Sequence, residues 1–559
     1  MPTITCKVSP ELDARLTAES RARRTTKSVV VRESDSADRS GPLTSSRAGA
    51  SPLRQRNHVD AAASKRVTRR ASRKGHQMRT AQRFLGLLAL ACALAPGVRA
   101  EVPAPAVEGP ITGGTFDRPF NPIANPEDIE GAGYSIEEFF LSGEATHYAP
   151  APGTTLGADG LWDVVPNGSE PYRTRLLVVR PLDPRDFSGT VVVNWLNVTS
   201  GFEIASGTEP RVFAEGAAWV GVSAQRHGLE GLAPGIVPGL GGGLRAWDPV
   251  RYGSLDIADD KLSYDVFSQA GLVVGPHRPG AGSPGDPLGG LRVKRLIASG
   301  ASQSAHRMAV YYNAIQPLHR LYDGFLIDLN FGVGAPLAPG IATPGTRLRG
   351  DLEAPVLIRN SETEAEAIFP WRQPDSATFR FWEVTGTPHA GRFGFARVDL
   401  ITEREFGFPL VRLPCDAPTN VLFFDDVLNA GFHHLHRWIQ GGAPPPSLPR
   451  ITITGESPAI VRDEHGNGLG GIRLPELEAP TATHLGANTP PNLFCRLAGA
   501  SIPFSRATID ALYPRRRDYV WRYVRAAKVG RKAGFLLRED AMALEMAVRR
   551  LKPFPEALF

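Results

Sequence analysis

Between residues 173 and 384 the chain repeats one pattern: a short run of β-branched and apolar residues, a turn rich in Gly, Pro or Asn, then apolar positions at helical spacing. The runs are RTRLLVVR (173–180), TVVVNWL (190–196), AWVGVSA (218–224), VKRLIAS (293–299), GFLIDL (324–329), PVLIRN (355–360) and FRFWEV (379–384). Unbroken apolar runs of this length suit strands buried on both faces, as in a mainly parallel sheet. Helical spacing over 264–274, 305–315 and 429–439 supplies the covering layer, so the pattern predicts an α/β fold. The Gly/Pro-rich connections 228–249 and 275–290 exceed ordinary loop lengths and are expected to be functional or disordered. Beyond residue 451 come strand-like runs and a helix-rich end at 533–551. That segment has no place in a minimal sheet and is expected to pack on a main domain spanning 101–450 as a lid or edge.

Composition narrows the class. Of 559 residues 42% are hydrophobic and 21% charged, which excludes a disordered polyelectrolyte and a membrane bundle. The net charge of +6 hides an asymmetry: the first hundred residues hold 20 Lys+Arg against 7 Asp+Glu, a balance of +13, leaving the remainder at −7. An acidic body with no local basic stripe is not expected to bind nucleic acid.

The break in charge coincides with a targeting pattern. Met78 is followed by Arg79 and Arg83, an apolar run at 84–94, and Val98-Arg99-Ala100 before Glu101, the layout of a signal peptide over 78–100 cleaved after Ala100. The run is too short to stay as a membrane span, so a periplasmic or secreted protein without a stable membrane anchor is expected. Upstream, residues 2–34 resemble the start of a ribbon-helix-helix DNA-binding module, and 35–76 lack apolar periodicity. Residues 1–77 are expected to be a disordered basic extension absent from the functional protein; a regulator fused to an enzyme is the alternative. Cutting at Ala100 removes Cys6 and Cys92 and leaves the pair Cys415 and Cys495, which an oxidising compartment permits to bridge.

The sharpest chemical signal is Ile297-Ala298-Ser299-Gly300-Ala301-Ser302-Gln303-Ser304-Ala305, a strand running into a helix with small residues around Ser302. A nucleophilic serine needs such a turn, which lifts its hydroxyl above the sheet and aims helix-start N–H groups at an oxyanion. Ser304 stands where the usual motif has a second Gly. Two further strand ends follow, Pro355 to Glu364 closing in carboxylates and Phe381 to His389 closing in a histidine. Nucleophile, acid and base in that order mark a hydrolase sheet. Glu364 is the preferred acid and Glu362 the runner-up. Among other histidines, His306 is expected to pack or face solvent. His433, His434 and His436 lie on a helix with no matching carboxylate pattern for a metal. His465, in a polar turn, is the rival base.

Taken with VVVNWLNVTSG (191–201), WVGVSAQ (219–225), WDPVRYGSL (247–255), SYDVFSQAG (263–271), GASQSAHRM (300–308), YDGFL (322–326), SETE (361–364), GTPHA (386–390), HLHRWI (434–439) and RDEHGNGLGGIR (462–473), these segments resemble the α/β-hydrolase superfamily. Within it they resemble bacterial exported α/β-hydrolase-domain proteins of undefined substrate, over nearly all of 105–555. The resemblance implies an esterase-like serine hydrolase with Ser302 as nucleophile and His389 as base, and with Glu364 where Asp is more usual. The N–H groups of Gln303 and Val198 are the expected oxyanion donors. A small ester is the expected substrate, with no cofactor or metal. A non-catalytic binding protein on the same fold is the rival reading.

Overall fold

The computed structural model describes residues 101–231, 242–410, 412 and 414–551. The signal-peptide pattern and the ribbon-helix-helix-like start lie outside the described residues.

A ten-stranded sheet organises the described residues. Its strands are β1 (Ala106–Glu108), β2 (Tyr134–Pro150), β3 (Val164–Pro181), β4 (Thr190–Trp195), β5 (Ala218–Val222), β6 (Asp256–Ile257), β7 (Arg295–Ala301), β8 (Gly324–Asp328), β9 (Val356–Ser361) and β10 (Phe379–Val384). The order is β1-β2-β3-β5-β4-β7-β8-β9-β10, with β6 on β3. From β5 to β10 every pairing is parallel, and β1, β2, β3 and β6 add an antiparallel end. Val191 and Val193 enter one hydrophobic core while Val192 enters the other, on the opposite face. Burial on both faces is why β4 reads as an unbroken apolar run.

The covering helices are α1 (Ser263–Val273), α2 (Gln303–Val310), α3 (Glu362–Ile368), α4 (Gly391–Phe406), α5 (Asp425–Trp438), α6 (Leu493–Ala498), α7 (Arg516–Ala533) and α8 (Arg538–Arg550). None among the described residues is long and apolar enough to cross a membrane. The expected helix over 305–315 is α2 followed by a π-helical stretch, Tyr311–Ile315. Two elements depart from expectation. The β2–β3 hairpin makes the antiparallel end far longer than the run at 173–180 implies, and α4 fills a segment with no predicted element.

Buried charge anchors the hairpin to the loop after β4. Arg175, fully buried, holds Glu138 of β2 and Glu203 of that loop at 2.6 Å each, and Arg251 adds a second 2.6 Å contact to Glu138. Such a set is stable only when every member is paired, so it fixes the geometry of the segment that follows β4. The chain after residue 451 extends the β10 edge through paired amides, Ile472 N–H to Glu383 O at 2.7 Å and Thr385 N–H to Ile472 O at 2.9 Å. It also forms a ladder between Ala482–Leu485 and Ala500–Pro503 that packs beside the β10 turn.

Candidate active site

Ser302 sits between β7 and α2 with φ 60° and ψ −118°, a conformation that costs a non-glycine residue on the order of 1–3 kcal/mol. The surroundings enforce it. Its N–H donates to Asp328 O at the end of β8 (2.9 Å), and its carbonyl accepts from His306 N–H (3.3 Å). Gly300 is required by close approach, because a Cβ there would stand 2.9 Å from both Met308 Cγ and Ser304 O. Ser304 itself is fully buried, so the position that usually holds a second Gly accepts a small side chain.

The carboxyl ends of β7, β9 and β10 bring three side chains together across the end of β8. Ser302 Oγ lies 2.9 Å from His389 Nε2, and His389 Nδ1 lies 2.6 Å from Glu364 Oε1. Glu364 occupies the third position of α3, and its other oxygen, Oε2, accepts from the Ser361 hydroxyl (2.6 Å) and N–H (2.8 Å). Ser361 in return accepts from Thr363 N–H, completing a capping box. The extra methylene of Glu over Asp is therefore used: from inside the first helical turn the side chain reaches back to the cap while its free oxygen faces the histidine. Burial alone would push the Glu364 carboxyl up, but the imidazole and the three hydrogen bonds hold it below the ordinary carboxylate value. Thr363 fixes the histidine loop, accepting from His389 N–H at 2.8 Å and donating to Gly486 O at 2.5 Å.

Glu362 does not reach the histidine. Its oxygens accept from Gly386 N–H (2.7 Å), Gly486 N–H (3.1 Å) and Arg462 (2.8 Å), joining the β9 end, the β10 turn and the C-terminal segment. His465 lies in its polar turn against Phe504, so the rival base is not part of this cluster. His306 accepts from Phe331 N–H at 3.4 Å, and burial, reinforced by the nearby His389, pushes it down to about 4. Of the expected oxyanion donors, Gln303 opens α2 and Val198 stands in the turn after β4. The neighbour of Val198, Asn197, donates from Nδ2 to Ala301 O at 3.1 Å. That contact ties the turn to the end of β7.

Sequence reasoning missed Phe331, whose ring stacks on His389 at 5.5 Å and has the Arg496 guanidinium over it at 5.4 Å. Nothing local marks it, since it comes from the loop after β8. It also missed a carboxylate beside the α5 histidines. Glu215 lies 2.5 Å from His433 Nδ1 and 2.6 Å from His436 Nδ1, but Arg211 holds the same carboxylate at 2.6 Å. Burial opposes that charge and the three partners override it, bringing Glu215 down to about 2. The group is a closed ion cluster, and among the described residues no set of three or more His, Cys, Asp or Glu is placed to hold a metal. Cys415 and Cys495 form a disulfide with Cα atoms 5.6 Å apart. Through Cys495 it holds α6, whose Leu497 carbonyl accepts from Ala390 N–H (3.0 Å), next to the histidine.

A family model described as alpha/beta hydrolase domain matches residues 107–546. The chain belongs to this family of hydrolases. The match excludes residues 2–34, so the ribbon-helix-helix resemblance is not borne out. No curated protein matches the chain. Among solved structures, the esterase Est22 is 13% identical, with 46% of this chain and 74% of that chain covered and a TM-score of 0.24. A serine hydrolase without lid from Xanthomonas campestris is 12% identical, with 43% and 83% covered and a TM-score of 0.21. A prolyl endopeptidase is 12% identical over 45% of this chain at a TM-score of 0.24, and only 35% of that chain's length is spanned.

Proposed function

We propose that the protein is a serine hydrolase that cleaves small carboxylic esters through an acyl-enzyme. The observation that carries this is the continuous hydrogen-bonded chain from Ser302 through His389 to Glu364 at the ends of β7, β10 and β9. In this reading Ser302 Oγ attacks the acyl carbonyl as its proton passes to His389 Nε2, and Glu364 stabilises the imidazolium through Nδ1–H. The oxyanion is received by the N–H groups of Gln303 and Val198. Collapse expels the alcohol, which takes the proton from His389, and water then repeats the sequence on the acyl-serine. No step calls for a cofactor. The exported location belongs to the same proposal, supported by the pattern at 78–100 and by the Cys415–Cys495 bridge.

A fluorophosphonate probe tests the nucleophile. Wild type is expected to label and Ser302→Ala not to; equal labelling of both would sink the assignment. A parallel screen of acyl esters, amides and short peptides tests the substrate class, with ester turnover dominant if the reading holds and peptide turnover dominant if it does not.

A further inference from the structure

Helix α7 has two faces of opposite character. Tyr519, Tyr523, Val524, Ala527 and Gly530 are buried, and the first three pack with Ile509, Tyr513 and Val548 into a small core. Tyr523 donates to Glu476 at 2.6 Å, and Arg516 turns inward to cap α8 at Leu551 O (2.9 Å). The helix is thereby held rigidly with one side outward. On that side, at 100° per residue, Arg517, Trp521, Arg525, Lys528 and Lys532 fall within about 80° of arc along about 22 Å of axis. All five are exposed, Trp521 to 61%, with Val529 at 57% beside them. Arg525 stacks on the Trp521 ring at 5.3 Å. None of the four cations has a carboxylate within 4.0 Å among the described residues, whereas Arg515, just before the helix, pairs with Asp518 at 3.0 Å. The expectation that the acidic body carries no basic stripe is thus overturned: the helix holds seven Lys+Arg against one Asp, a local excess that the net charge averages away.

We propose that this face of α7 docks reversibly on an anionic phospholipid surface. Unpaired cations call for an anionic partner, and the apolar components select the kind. A straight helix with an exposed indole and a valine level with its cations matches the headgroup boundary, where Trp sits at the interface and Lys and Arg reach phosphate. Each cation near such a surface strengthens partitioning about five-fold. The acidic remainder is repelled by the same surface, which orients the molecule with α7 inward.

The test is co-sedimentation of the full chain with phosphatidylcholine vesicles, with and without phosphatidylglycerol, at low and high salt. Wild type is compared with the joint variant Arg517→Gln, Arg525→Gln, Lys528→Gln, Lys532→Gln, both carrying the same first hundred residues. The proposal expects binding only with phosphatidylglycerol, weakened by salt, and at least about 100-fold weaker in the variant. A second readout is Trp emission: the blue shift on vesicles should vanish in Trp521→Phe. Equal binding by variant and wild type, equal binding to pure phosphatidylcholine, or binding to a DNA duplex in place of vesicles would each overturn it.

Discussion

The two oxygens of Glu364 face different partners, one the cap of its own helix and the other His389, so the proposed triad role and the local structure share one side chain. Removing the Ser361 hydroxyl leaves the carboxylate on His389 but takes away one of the two hydrogen bonds at its other end, the Ser361 N–H remaining. Ser361→Ala is therefore expected to cost about 1 kcal/mol of stability as a lost cap and to lower kcat without raising KM. Glu364→Gln, which removes the charge itself, should cost roughly three orders of magnitude in kcat. Glu362→Gln should destabilise the fold and leave kcat per folded molecule nearly intact, since its oxygens hold amides and Arg462. Reversal of these last two results would exchange the roles. The preference for Glu364 over Glu362 was legible in the sequence, and the Ser-x-x-Glu cap signature at 361–364 was there too, but the contact of Glu364 with His389 depends on the fold. Phe331 was not legible, because its position over His389 depends on the fold. Burial also pushes His484, like His306, down to about 4. Both are favoured neutral in the folded state, so unfolding takes up protons between about pH 4 and 6.5. The associated stability is fully present above pH 6.5 and is lost as pH falls toward 4. Urea midpoints measured across that range should fall with acidity, and a flat profile would contradict the buried neutral state of these rings.

At the level of elements, the strands that carry the site were the legible ones. β4 and β7 to β10 are buried on both faces, so their composition alone announces them. The β2–β3 hairpin escaped because part of β3 is exposed and charged or polar residues interrupt both strands. Helix α4 escaped because two glycines stand in its first turns and few of its residues are buried. The turn between β7 and α2 yields a prediction of its own. Its positive φ at Ser302 strains any residue with a Cβ, so Ser302→Gly should relieve part of that strain while Ser302→Ala retains it. Both variants are inactive in this scheme. The glycine variant should nonetheless be more stable than the alanine variant by about 1 kcal/mol, after allowing for the backbone entropy of glycine. Equal denaturation midpoints would mean that the elbow is not strained in solution.

For the whole molecule, the Cys415–Cys495 bridge links two segments that surround the histidine loop and are 80 residues apart in sequence. Around it the contacts are polar: Asn488 donates to the carbonyls of Ala417 and Gly499, and Asn420 donates to those of Gly386, Leu485 and Ala500. A lattice of single hydrogen bonds gains rigidity from a covalent closure, and on the chain-entropy account a loop of this length contributes roughly 4 kcal/mol. Cysteine reduction should lower the denaturation midpoint by a corresponding amount, and Cys415→Ser should reproduce the effect in the absence of reductant. The consequence reaches the chemistry, because α6 supplies the carbonyl that receives Ala390 N–H beside His389. The reduced protein is therefore expected to lose turnover before it unfolds globally, with activity restored on reoxidation. If reductant leaves both stability and turnover of the wild type unchanged while the thiols titrate as free, the bridge is neither a staple of this fold nor a support of its histidine, and the argument for an oxidising location loses its structural footing.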